Sequence, residues 1–174
     1  MSNRYSVAIS GKSGCGNSSV SRLVAQRLSL RFINYTFRSL AEERGMSFEE
    51  FSKLAEVDTS YDLALDRMQK EMAAEGSCVL GSRLAIWLLP DAHLKVYLTA
   101  SLPVRAQRIA RREGKSVGQA MAETVERDRL DRARYLALYG IDNDQYDFAD
   151  LVIDTEVHDE YTVAGLIAAA ASAK

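Results

Sequence analysis

The sequence predicts an α/β domain in which a parallel sheet is covered by helices on both faces. Short apolar runs of strand length recur along the chain, and stretches of helical periodicity fill the spaces between them. Strands that alternate with helices make βαβ units, whose crossovers place successive strands parallel. The third observation is size: 174 residues allow one domain with a real core and leave little room for a second. No repeat, linker or low-complexity stretch divides the chain, so residues 1–174 are expected to form a single unit.

The elements follow in order. Tyr5–Ser10 is a short, mostly apolar run ending at Gly11, as a buried parallel strand requires. A glycine-rich stretch leads into Val20–Leu28, where Val20, Leu23, Val24, Arg27 and Leu28 stack at helical spacing. Phe32 and Ile33 give a brief second strand. From Phe37 to Ala74 the pattern is helical and polar-rich, punctuated at Gly45 before Ser47, a helix cap with Glu50 three residues on. Ser77–Leu80, closed by Gly81, reads as the third strand, Leu94–Leu98 as the fourth and Leu151–Ile153 as the fifth.

Composition narrows the class. Hydrophobic residues make up 47% and charged residues 26% of the chain, ordinary for a globular protein, and only two prolines and ten glycines argue against disorder or fibrous structure. The first residues, MSNRYSVAIS, lack the basic start and apolar run of a signal peptide. No apolar stretch approaches the roughly 20 residues needed to cross a bilayer, so a cytoplasmic protein without a membrane partner is expected. Cys15 and Cys78, like His93 and His158, lie too far apart to suggest a disulfide framework or a metal cluster. The net charge of −2 hides an asymmetry, because residues 105–134 hold eight arginines and one lysine against five acids. A basic segment inside a mildly acidic chain suits a compact polyanion such as a nucleotide better than a long nucleic acid.

The loop after the first strand gives that anion a place. Gly11-Lys12-Ser13-Gly14-Cys15-Gly16-Asn17-Ser18-Ser19 joins a strand to a helix. Glycines there let the backbone curl until successive N–H groups point inward, and the helix N-terminus adds its partial positive charge. The spacing from Gly11 to Gly16, followed by the hydroxyl of Ser18, matches a Walker A phosphate loop, with Ser18 placed to meet a magnesium ion. One position departs. Asn17 stands where the loop normally has a lysine facing the β and γ phosphates, which removes a charge from the place where charge accumulates. Lys12, early in the same loop, is the expected substitute.

The arginines point from binding to phosphoryl transfer. Arg38 opens a helix, and Arg83 follows the third strand in Gly81-Ser82-Arg83; both fall near C-terminal strand edges, where parallel sheets bind ligands. Arg105, Arg108 and Arg112 share one helix face, as do Arg127, Asp131 and Arg134. Arginine grips phosphate with a planar fork and stays charged, and arginine-bearing helices that close over a site supply charge while excluding water. Arg129 and Arg132 are expected to face elsewhere and pair with Asp128 and Glu126.

Taken in order, these stretches resemble the cytidylate kinases, and among them the short archaeal-type branch. The residues that carry the resemblance are Ile9–Val20 (ISGKSGCGNSSV), Phe37–Ser47 (FRSLAEERGMS), Leu65–Lys70 (LDRMQK), Val79–Trp87 (VLGSRLAIW), Val104–Gly114 (VRAQRIARREG), Arg127–Arg134 (RDRLDRAR), Tyr139–Asp142 (YGID) and Asp150–Thr155 (DLVIDT). The phosphate loop alone is unspecific; its combination with the arginine segments is specific. The resemblance implies a five-stranded parallel sheet, a helical monophosphate-binding segment near residues 35–75 and a short lid within residues 105–134. It implies transfer of the ATP γ-phosphoryl group to CMP or dCMP with magnesium. With no apolar stripe evident in the sequence, a monomer is expected. By position, Arg38, Arg83 and Arg134 correspond to monophosphate-holding residues, Arg127 to an arginine near the phosphates and Asp131 to an acid of the nucleoside monophosphate site. Arg108 and Arg112 fall in the lid region, and Asp66 is placed to read the nucleoside. Two departures matter: Asn17 replaces the usual lysine or threonine, and Gly81-Ser82 lacks an acid before Arg83. Two other readings stay open, a nucleotide-binding protein without turnover, prompted by Asn17, and a kinase for another small acceptor.

Overall fold

Five strands, β1 (Ser6–Gly11), β2 (Arg31–Ile33), β3 (Cys78–Gly81), β4 (Leu94–Thr99) and β5 (Leu151–Asp154), form one parallel sheet in the order β2-β3-β1-β4-β5. The computed structural model describes residues 5–174, apart from the side chain of Glu49; the four residues before them, part of the stretch read above for a leader, lie outside it. In the sheet, Ile9 lies opposite Gly81 on one side and Val96 on the other. From β1 the chain runs to the sheet edge at β2, returns to β3 beside β1, then crosses β1 to reach β4. The order therefore reverses at β1, and the crevice beyond its C-terminal end is where an open parallel sheet binds ligands.

Helices α1 (Asn17–Leu28) and α8 (Glu160–Ala173) cover one face. Val7, Ile9, Val79, Val96 and Leu98 meet Val20, Val24, Val163 and Ile167 there. The other face carries α4 (Ser60–Ala74), α5 (Ala85–Leu88) and the C-terminal part of α7 (Val117–Tyr139), with Ala8, Leu80 and Tyr97 against Ala73, Ile86 and Tyr135. Alternate residues of β1 thus serve opposite layers, as pleating dictates. Each fully buried Val, Leu or Ile stabilises this arrangement by about 1.5–3 kcal/mol. Gly81 is required by contact: a Cβ there would lie 2.7 Å from Ser21 Cβ of α1.

The long helical run read between Phe37 and Ala74 is three helices, α2 (Phe37–Glu43), α3 (Phe48–Val57) and α4. Ser47 caps α3 as its spacing predicts, accepting from Glu50 N at 3.2 Å while Glu50 Oε2 accepts from Ser47 N at 3.0 Å. The second break has no glycine or proline; Asp58 Oδ1 accepts from Ser60 N at 2.9 Å and turns the chain locally. Leu40, Ala41, Phe51 and Ala55 give α2–α4 a small core of their own. Helix α6 (Leu102–Glu113) and α7 form a helical hairpin closed by Ala106, Ile109, Ala110 and Ala120. No helix among the described residues is long and apolar enough to cross a membrane.

Candidate active site

The loop from Gly11 to Asn17 is curled by two glycines in the left-handed region, Gly14 at φ 85° and Gly16 at φ 91°, which other residues rarely adopt. Cys15 N donates to Lys12 O at 3.1 Å and closes the turn. Cys15 is buried with the core residues of this face, and burial pushes its thiol pKa up. Gly14 is also a contact glycine, because a Cβ there would lie 2.9 Å from Arg105 Cβ. Ser18 and Ser19 begin α1 exposed to the cleft.

That cleft has a volume of about 1020 Å³ and receives residues that follow four of the five strands: the loop after β1, Asn34 and Tyr35 after β2, Ser82 and Arg83 after β3, and Thr155 after β5. Seven basic side chains (Lys12, Arg38, Arg83, Arg108, Arg111, Arg112 and Arg127) border it against four carboxylates (Asp62, Asp66, Asp159 and Glu160), so it attracts anions.

At the loop end, the arginines of α6 divide their work. Arg105 is 5% exposed and forks onto Asp128 at 3.1 and 2.7 Å while donating to Ser13 O at 3.2 Å. Arg108 donates to Gly14 O at 3.1 Å and to Thr155 Oγ1 at 2.9 Å, so it clamps the phosphate loop to the end of β5. Arg112 stays exposed beside Glu113. Arg127 of α7 reaches Ser13 Oγ at 3.4 Å. The lid expected within residues 105–134 is accordingly a packed hairpin whose Arg105 and Arg108 already hold the loop.

The other end of the cleft is an ion cluster. Arg83 meets Asp131 at 3.2 Å, Arg134 meets Asp131 at 2.7 Å, and Arg134 Nε meets Asp62 Oδ1 at 2.9 Å. Burial works against the charge of Arg83, but Asp131 and Tyr135 outweigh it and raise its pKa. Burial pushes Asp62 up to about 6 against the pull of Arg134, helped by Asp66 and Asp131. Burial likewise raises Asp66, whose Oδ2 accepts from the Tyr139 hydroxyl. Arg38 borders the cleft with its guanidinium 4.5 Å from the Phe48 ring centroid.

Three contacts bear on residues singled out in the sequence. Lys12 borders the cleft with its Nζ 2.6 Å from Asp144, so the cation expected to stand in for the lysine is paired with a carboxylate here. Asn17 Nδ2 donates to Gly11 O at 2.6 Å, which spends the amide on its own loop. Arg132 pairs with Asp142 at 2.6 Å and Asp144 at 3.6 Å rather than with Asp128, which Arg105 occupies, whereas Arg129 meets Glu126 at 2.6 Å as expected. Arg134 and Asp131 stand behind Arg83 and Asp62, off the cleft wall. Sequence reading missed Asp62 and Gln69, although with Asp66 they follow the same helical stride that singled out the arginines. It also missed Asp144 and Thr155, whose roles depend on contacts distant in sequence.

Comparison with known proteins gives this arrangement a lineage. The profile of the cytidylate kinase-like family matches residues 6–157. The chain is 45% identical over 152 residues to cytidylate kinase 2 of Borrelia garinii subsp. bavariensis, covering 85% of each. It is 40% identical over 166 residues to a cytidylate kinase of Pyrococcus horikoshii, covering 94% of this chain and 86% of that one. In fold it is similar to a shikimate kinase from Bacteroides thetaiotaomicron, with a TM-score of 0.68 at 14% identity over 97% of this chain and 98% of that one. A deoxyadenosine kinase from M. mycoides gives a TM-score of 0.59 at 17% identity over 97% and 100%. A strand-to-helix anion loop on a five-stranded parallel sheet, an arginine-rich cleft beyond it, and a profile match over most of the length place the chain in the cytidylate kinase-like family.

Proposed function

We propose that this protein transfers the γ-phosphoryl group of ATP to CMP or dCMP, giving ADP and CDP or dCDP. The observation that supports it most is the cleft itself, which joins an anion loop at one end to the Arg83–Asp131–Arg134–Asp62 cluster at the other, within a chain of this family.

In this reading the backbone of Gly11–Ser19 cradles the ATP phosphates. Arg127 and Arg112 stabilise charge on the transferring oxygens, and Arg108 keeps the loop against Thr155. Arg38 and Arg83 hold the monophosphate, while Asp131 and Arg134 orient Arg83 from behind. Asp66 faces the nucleoside. A monophosphate oxygen, already anionic, attacks the γ phosphorus as the bond to the β-phosphate oxygen breaks, so positioning and positive charge carry the catalysis and no general base is needed.

Magnesium fits as part of the incoming nucleotide. The exposed Ser18 hydroxyl borders the cleft, and no cluster of three acids, histidines or cysteines suited to a metal occurs among the described residues. The phosphates and water would complete the coordination, and the ion would neutralise phosphate charge. Lys12 leaves Asp144 for the phosphates and takes over the part that Asn17 cannot play. The helices α2–α4, with their own small core, close over the monophosphate as a unit.

Chromatographic detection of products tests this directly. CDP and ADP in equal amounts from CMP, ATP and magnesium are the expected result. CMP binding without CDP formation would overturn it.

A further inference from the structure

The face that α4 turns to the cleft carries Asp62, Leu65, Asp66 and Gln69. Gln69 is 3% exposed, and its Nε2 donates to the Tyr35 carbonyl at 2.7 Å. That carbonyl can only accept, so the atom facing it must be the nitrogen. The other amide atom, Oε1, is therefore an acceptor, and it is buried with no partner. Asp62 Oδ2 is buried and unpartnered too. The only donor on this face is thus already spent, and what remains are acceptors.

A buried acceptor without a donor costs free energy that a ligand can recover by supplying one. The place on α4 says which part of a ligand that is. Asp62 touches the arginine cluster through Arg134, and Gln69 lies seven residues further along, about 10 Å at 1.5 Å per residue. A nucleotide whose phosphate sits at the arginines would extend its base along α4 towards Gln69. Side-chain amides are ordinarily adaptable readers of bases, because they can turn over and present either edge. The Tyr35 carbonyl removes that freedom.

Building on the functional reading above, we infer that Gln69 is a specificity-determining residue, whose Oε1, locked by the Tyr35 carbonyl, accepts from the exocyclic amino group of the acceptor base. The keto oxygen of uracil at the same position would meet another acceptor. A site built around a hydrogen bond rejects the analogue that lacks it far more strongly than an apolar pocket rejects a missing methylene.

The test is steady-state kinetics with CMP, UMP and the monophosphate of pyrimidin-2-one riboside, which is cytidine without its amino group. The enzymes are wild type, Gln69→Met and Gln69→Glu. Wild type should favour CMP over the other two by roughly 10- to 100-fold in kcat/KM. Gln69→Met should lose that factor for CMP and leave the other two within about threefold, as expected when one hydrogen bond is removed. Gln69→Glu should keep the preference, since a protonated acid can donate to the Tyr35 carbonyl and accept at its other oxygen. A folded Gln69→Met protein with the wild-type ratio of CMP to UMP would overturn the inference alone. Should Gln69→Met fail to fold, wild type decides: pyrimidin-2-one monophosphate used as well as CMP overturns it. Wild type that uses no CMP at all overturns the functional reading, and this inference with it.

Discussion

Replacing Asp62 by Asn tests whether the monophosphate end of the cleft buries more carboxylate charge than its arginines balance. Asp62 faces two acids, Asp66 and Asp131, and two arginines, Arg134 and Arg83. Asp62 is 4% exposed, and burial, helped by its acidic neighbours, outweighs Arg134 and moves its pKa from 3.8 to about 6. An acid whose folded pKa is raised binds its proton more tightly when folded. Its contribution to stability is therefore full below about pH 4 and is lost as pH rises through about 6. A rise of about two units corresponds to about 3 kcal/mol. Carboxylates elsewhere titrate in both proteins, so the informative quantity is the difference between wild type and Asp62→Asn. Urea unfolding at pH 4, 5, 6 and 7 should show wild type losing about 2 kcal/mol of this relative to the variant across that range, since the unfolded carboxyl is already partly ionised at pH 4. A difference that stays flat within about 0.5 kcal/mol, or one that favours wild type as pH rises, would refute the reasoning.

Lys12→Ala and Asp144→Asn should move ATP use in opposite directions. The first removes a cation meant for the phosphates and lowers kcat/KM for ATP by roughly tenfold or more, and the second frees that cation from its 2.6 Å partner and leaves ATP use equal or better; an unchanged Lys12→Ala enzyme would exclude Lys12 from the chemistry. Arg134→Lys keeps a charge beside Asp62 and Asp131 but cannot fork onto both, so the KM for CMP should rise while the protein stays folded. Arg134→Ala leaves both acids exposed to each other and should cost about 3–5 kcal/mol in chemical unfolding; a variant that loses stability but keeps the wild-type KM would confine Arg134 to structure. Arg105→Ala leaves Asp128 unpaired and Ser13 O without its donor, so about 3–5 kcal/mol of stability should go with it, read from thermal or urea unfolding.

The strands were the most legible part of this chain. Buried parallel strands are short apolar runs ended by a glycine or polar turn, and each of the five predicted runs falls within a residue of its observed bounds. Loop and arginines were legible because each rests on a local spacing. What escaped depends on contacts between distant segments or on elements too short to show a period. Helix α5 is a single turn inside the apolar run Leu84–Leu89, where no periodicity can develop. The break before α4 is made by Asp58 alone. Arg105, Arg108 and Arg112 share a stride, yet one is a buried structural pair, one a clamp and one exposed, because α6 packs against both the phosphate loop and α7. The grip of Asp144 on Lys12 and that of Tyr139 on Asp66 join parts of the chain that only the fold brings together. Asp62 and Gln69 could have been found, since 62, 66 and 69 repeat the spacing that drew attention to the arginines.

The measurement that bears most directly on the proposed activity is coupled ADP release with ATP, magnesium and each nucleoside monophosphate in turn. Steady turnover selected by CMP or dCMP is the predicted result, and it would establish that a phosphate loop with Asn17 supports phosphoryl transfer. Nucleotide binding with no turnover of any monophosphate would contradict it and leave a protein that senses nucleotides without converting them.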